Sequence, residues 1–144
     1  HVVGTIPPEV EEIVENNPRI VRLPFLEDDD LRVQFSAAKA LLLPSEIEGF
    51  GLPAIEAYYL GTPVCFSLGT SIEEVLAAAT SIGGFVLDDA KSLFAAFDDV
   101  MEISGKEIRE IGLKLRVQYS SAKVAEQMMT AFRDACRHQG AVIH

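Results

Sequence analysis

The stretch PSEIEGFGLPAIEAYYLGTPV, Pro44 to Val64, decides how the chain is read. Before it, Ala40-Leu41-Leu42-Leu43 is a short apolar run without polar alternation, the pattern of a strand buried on both faces of a parallel sheet. Pro44 ends that run. Gly49 and Gly51 permit a positive φ or a close backbone approach, and Pro53 suits the first turn of a helix, where its missing N–H would be unpaired anyway. Gly61 stops the helix, and Thr62 to Phe66 reads as the next strand. The order strand, loop, helix, strand puts the loop at the carboxyl end of a strand, where open α/β sheets bind ligands.

The loop's contents suggest what it binds. The N–H groups of Gly51, Leu52, Ala54 and Ile55 at the helix start, with the helix dipole behind them, make an anion site suited to phosphate. Yet no Lys or Arg occurs from Ala40 to Ser71, and two carboxylates, Glu48 and Glu56, bracket the glycines. An ionised carboxylate only accepts hydrogen bonds, so the two acids are better matched to vicinal hydroxyls than to phosphate. Glu56 sits about one turn into the helix, its side chain leaning back toward the N-terminus, with Glu48 on the far side of the same pocket. The pair could hold two sugar rings with a diphosphate between them, which describes a nucleotide sugar.

The flanks read as a compact α/β module. Pro7-Pro8-Glu9 opens a helix that Asn16-Asn17-Pro18 closes, and Arg19 to Leu23 reads as a strand. Asp28 to Asp30 suit the cap of a helix carrying Leu31, Val33, Phe35 and Ala38. Ser71-x-x-Glu74 and Ser104-x-x-Glu107 are capping-box patterns, and Phe85 to Leu87 reads as a last strand. Helices are expected around Ser92–Ile103, Lys106–Val117 and Ala122–Arg137, with Leu93, Phe94, Phe97, Val100 and Met101 as a core face. With no repeat, linker or low-complexity segment, residues 1–144 are expected to form a single nucleotide-sugar-binding domain with a doubly wound, Rossmann-like parallel sheet.

Glu48-x7-Glu56 within EGFGLPAIEA, preceded by Pro-Ser and followed by GTPV, resembles the signature of the group-1 family of retaining glycosyltransferases with the two-domain GT-B fold. Of the wider chain, HVVG is similar to the second strand of that family's C-terminal, donor-binding domain, and Arg19 to Leu26 to its third strand and base-side loop. The Ser71 to Val75 helix start and GGFVLDD also match, whereas Tyr119-Ser120-Ser121 departs from the family's Phe-Ser-Trp pattern. The resemblance implies a hexosyl-type retaining transfer in which Glu48 contacts the transferred sugar and shares in catalysis. It implies that Glu56 binds the ribose, that Gly49, Phe50, Gly51 and Leu52 meet the sugar and diphosphate, and that Phe25 and Leu26 lie near the base. No cofactor or metal is implied. The family's Arg and Lys clamp on the diphosphate follows the first strand of this domain, and both the strand and its loop are expected upstream of His1. The fragment is therefore expected to be inactive alone, with the acceptor bound by a missing N-terminal domain. Rival readings are a nucleotide-sugar epimerase or phosphorylase of the same architecture, and a non-catalytic scaffold.

Composition narrows the partners. Twelve basic against twenty-two acidic residues give a formal charge of −10, which disfavours nucleic acid, and any membrane contact is not expected through this domain. Cys65 and Cys136 do not suggest a disulfide framework, so the default compartment is the reducing cytoplasm. The acidic run Glu27 to Asp30 is read as a solvated helix cap rather than a metal or receiver-type site, and Tyr58 and Tyr59 as helix-to-sheet packing rather than base stacking. His138 and His144 are expected to be solvent-exposed.

Overall fold

The computed structural model describes residues 1–139, so the expected exposure of His144 lies outside them, as does the His138 side chain. The chain falls into two compact units, the first His1–Ala37 and the second from Ala38 on.

The first unit is a strand–helix–strand–helix. Strand β1 (Val2–Val3) pairs in parallel with β2 (Arg22–Leu23), Val2 opposite Arg22, with α1 (Pro8–Asn16) as the crossover and α2 (Asp28–Ala37) following. Pro8 occupies the first turn of α1, and Glu9 and Glu11 lie there at the favourable end of its dipole. The second strand starts later than Arg19, because Asn17 builds a turn: its side-chain oxygen accepts from the Arg19 N–H at 3.0 Å and its carbonyl from the Ile20 N–H at 2.9 Å. Such Asx turns compete with strand pairing for the same backbone groups. Asp28, Asp29 and Asp30 lie inside the first turn of α2 rather than at its cap, still at the dipole's favourable end.

The second unit carries a three-stranded parallel sheet, β3 (Leu41–Leu43), β4 (Val64–Ser67) and β5 (Gly84–Phe85), in that order. Its register sets Leu41 opposite Val64 and Phe66 opposite Gly84. The helices are α3 (Leu52–Leu60), α4 (Ser71–Leu76), α5 (Ala90–Glu102), α6 (Gly105–Gln118) and α7 (Ser121–Gln139). The parallel strands of the expected doubly wound fold are thus distributed over two sheets, one in each unit.

Strand β4 is central and all four of its side chains are buried. Strand β3 is not covered on both sides as expected: it lies at the edge of this sheet, and Leu42 is 47% exposed. Helix α3 buries Ala54, Ile55, Ala57 and Tyr58, and Gly112 of α6 lets the two helices close, since a Cβ there would stand 2.8 Å from the Tyr58 carbonyl oxygen. The Tyr58 side chain is buried beside Val64 and Cys65 of β4, the helix-to-sheet packing expected of it, and burial pushes its phenol up to about 12.

Two local readings need correction. Helix α5 does not bury Phe94, Phe97 and Met101; Phe94 is 67% exposed, and the buried side is Ala96 and Val100, with Leu93 and Ile103 packed beside them on Cys65 and Phe85. Both stripes are apolar at helical spacing, but only the one containing Ala96 lets the helix backbone approach β4, where the Cys65 thiol reaches the Ala96 carbonyl at 3.9 Å. The capping box on Ser104 and Glu107 is present, whereas the one expected at Ser71 and Glu74 is not. Thr70 is the N-cap of α4, Glu73 reaches back to the Gly69 N–H at 2.6 Å, and the Ser71 hydroxyl is engaged elsewhere.

Candidate functional site

Because β3 and β4 run parallel, the loops leaving their carboxyl ends emerge at the same edge of the sheet, and the N-termini of α3 and α4 start side by side. The first of these loops, residues 44–51, carries Glu48. Its carboxylate accepts the Ser45 hydroxyl at 2.7 Å, the short length of a charge-assisted bond. Its backbone carbonyl accepts the Ser71 hydroxyl of α4 at 3.0 Å. Glu48 is half-buried, held at side chain and main chain by two different serines.

The loop closes on Gly51, which is the N-cap of α3 in the left-handed region, φ 87°. Beneath it lies Ile72 of α4, whose Cγ1 would stand only 2.8 Å from any Cβ at this position. Gly51 is therefore required twice, for its backbone angle and for the room it leaves. Gly49 meets no such neighbour. Helix α3 starts at Leu52 with Pro53 in its first turn, and the Ala54 N–H donates to the Gly51 carbonyl at 3.0 Å. That bond removes Ala54 from the four N–H groups expected to face an anion, because the first turn tightens onto Gly51.

Phe50 projects the other way. Its ring meets Tyr119 edge-on, centroids 5.6 Å apart at 87°. Tyr119 ends α6 and donates its hydroxyl to the Val75 carbonyl of α4 at 2.9 Å; burial raises its phenol pKa, with Tyr59 nearby adding to the shift. Glu56 is exposed on the first turns of α3. The second unit thus assembles Glu48, Gly49, Phe50, Gly51, Leu52 and Glu56 around one loop and helix start. Phe25 and Leu26 belong to the first unit, after β2, where the Phe25 ring is 85% exposed and Leu26 half-buried.

Arg116 of α6 lies over the Tyr59 ring, 4.7 Å from its centroid, and reaches the Tyr59 carbonyl at 3.4 Å. It thereby serves the C-terminal end of α3, where a cation complements the dipole, and not the N-terminus beside Glu48. Among the described residues no three His, Cys, Asp or Glu side chains could jointly hold a metal ion, and no helix is long and apolar enough to cross a membrane.

In the sequence, Ser71 fits a local cap, Tyr119 lies in a stretch that departs from the family pattern, and Ser45 stands three residues before Glu48; none of these positions signals its contact with the loop.

The sequence pattern of the family described as glycosyl transferases group 1 matches residues 11–122. The chain is 33% identical over 129 residues to the O-antigen chain mannosyltransferase B of Escherichia coli, covering 85% of this chain and 33% of that protein. It is 30% identical over 115 residues to an MMP alpha-(1->4)-mannosyltransferase of Mycolicibacterium hassiacum, covering 76% of this chain and 28% of that one. The chain therefore spans about a third of the length of these curated relatives. In structure it resembles sucrose-phosphate synthase from Thermosynechococcus elongatus, with a TM-score of 0.69 and 24% identity over 94% of this chain and 38% of the synthase, which establishes a shared fold.

Proposed function

The chain belongs to the glycosyl transferases of group 1, and from that premise we propose that the loop 44–51 and the start of α3 form the donor pocket of a retaining hexosyltransferase that takes a sugar from a nucleoside diphosphate. The observation that carries this reading is the double anchoring of Glu48 beside a helix N-terminus opened by a left-handed glycine. A carboxylate fixed in place can accept from sugar hydroxyls in one geometry, while the adjoining N–H groups of Gly51 and Leu52 face the departing diphosphate.

In the proposed reaction the acceptor attacks the anomeric carbon on the face the diphosphate leaves. Charge builds on the leaving group, and donors already aimed at it lower the barrier without reorganising. Glu48 orients the transferred sugar and shares in catalysis, and Glu56 takes the ribose hydroxyls. No resident metal or cofactor takes part. The loop itself offers the diphosphate no cation, so the positive clamp comes from residues outside 40–71, the acceptor is bound by a further domain, and the 144-residue chain alone is expected to show weak donor binding and no transfer. The two free cysteines suit a reducing compartment, the cytoplasm.

Replacing Glu56 with Gln in the protein that carries this chain should weaken nucleoside-diphosphate hexose binding by about 1–3 kcal/mol, the range for losing a charged hydrogen-bond partner. Calorimetric titration reads this directly. Unchanged donor affinity would move the protein toward a scaffold that keeps the fold without the chemistry.

A further inference from the structure

We propose that Tyr119 is a positioning residue of the donor pocket, bracing Phe50 and α4 so that Glu48 and the Gly51–Leu52 N–H groups keep one geometry. The inference rests on the reading of this loop as a donor site.

Helix α6 does not need the Tyr119 side chain to end. The Tyr119 backbone N–H already bonds the Leu115 and Val117 carbonyls, which is the cap. The ring and hydroxyl are therefore free for tertiary work, and both are used. At the end of α4 the Leu76 carbonyl receives the N–H groups of both Ala79 and Thr80, and Ala77 bonds Glu73. The Val75 carbonyl is thereby passed over by the tightened last turn, and the Tyr119 hydroxyl supplies its donor at 2.9 Å. The ring of the same residue meets that of Phe50, two positions after Glu48, in a T-shaped contact.

Together these contacts close a ring of fixed elements. Ser71, at the start of α4, holds the Glu48 carbonyl, and Ile72 fills the space beneath Gly51. Val75, near the end of α4, holds Tyr119, and Tyr119 returns to Phe50 in the loop. Without Tyr119 the loop remains tied at Glu48 but can pivot at Phe50, the segment that aims the N–H groups of Gly51 and Leu52. Small displacements of groups aimed at developing charge are expensive in rate.

The test compares Tyr119→Ala, Tyr119→Phe, Phe50→Leu and, as a control, Ser104→Ala, which loosens the far end of α6 without touching the loop. Amide hydrogen exchange of residues 49–52 is measured with kcat and donor KM in the protein that carries this chain. Tyr119→Ala should speed loop exchange and lower kcat, each by about tenfold, with donor KM changed less than about threefold, since aim rather than contact is lost. Tyr119→Phe should keep the loop slow but free the end of α4, and Phe50→Leu should reproduce the faster loop from the other side of the contact. Wild-type loop exchange in Tyr119→Ala and Phe50→Leu, or an equal rise in Ser104→Ala, overturns the proposal. A wild-type protein that transfers no sugar refutes the donor reading instead, and the exchange measurements still decide whether Tyr119 braces the loop.

Discussion

Gly51 and Gly61 make a matched pair for testing what holds the loop. Both bound α3, at φ 87° and 88°, but a Cβ at Gly61 meets nothing within 4 Å while one at Gly51 meets Ile72 Cγ1 at 2.8 Å and the Ile72 Cα at 3.4 Å. Gly61→Ala therefore carries only left-handed strain, about 1–2 kcal/mol. Gly51→Ala carries the same strain plus overpacking against a fully buried side chain, typically about 1–3 kcal/mol more. The expected losses are about 1–2 kcal/mol for Gly61→Ala and about 2–5 kcal/mol for Gly51→Ala. Urea unfolding followed by far-ultraviolet circular dichroism measures both. Adding Ile72→Ala to Gly51→Ala should cost less than the sum of the two single changes, because the added Cβ occupies room the side chain vacated. Equal losses at the two glycines, or strict additivity with Ile72→Ala, would show that the loop yields freely over α4, and the geometry argued for Glu48 would fall with it.

Two further outcomes follow from local electrostatics. The Glu107 carboxyl is held below its usual range, first by the Ser104 hydroxyl and then by the Ser104 backbone N–H. A depressed carboxylate contributes stability above its unfolded pKa and loses it as pH falls through the folded value, so the gap in thermal midpoint between the native protein and Glu107→Gln should be full near neutrality and close below about pH 4.5; a gap independent of pH refutes the bond. Burial pushes the Cys65 thiol up to about 11, whereas Cys136 is exposed. At pH 8 a thiol reagent should label Cys136 promptly and Cys65 only after denaturation, and rapid labelling of both thiols would contradict the packing of Cys65 under α5.

What could be read from the sequence was local in cause. Gly51 and Gly61 announced the ends of α3 because a left-handed residue is a property of its own backbone, and Ser104 with Glu107 announced a cap because both partners lie within one turn. The late start of β2 was legible in principle, since Asn17-Pro18 is a turn signal that outweighs the apolar pair Ile20-Val21. The rotation of α5 was not, because two adjacent apolar stripes satisfy the same periodicity and only the approach of Ala96 to β4 separates them. The roles of Ser71 and Tyr119 were hidden for a related reason. Ser71 fits a local cap, yet its hydroxyl finds the Glu48 carbonyl from a neighbouring parallel strand's loop, a pairing fixed by sheet register.

The electrostatics of α3 tie these pieces together. Its C-terminal end is complemented by Arg116, held on the Tyr59 ring and carbonyl, which both satisfies a late carbonyl and commits the nearby cation away from the N-terminal end. Its N-terminal end is left with Gly51, Leu52 and Glu48, whose carboxylate accepts from Ser45 and whose backbone carbonyl accepts from Ser71. An exposed N-terminal dipole end is worth under about 1 kcal/mol to a charge at the surface, too little to bind a diphosphate against a chain of net charge −10. Under the proposed donor reading, this loop is left to orient a neutral polyhydroxyl group, and binding energy for the phosphates has to be supplied by cations outside residues 40–71. On the same proposed reading the contacts converge on Glu48 because, where the charge is neutralised from outside, aiming the sugar is what this loop would contribute to the reaction.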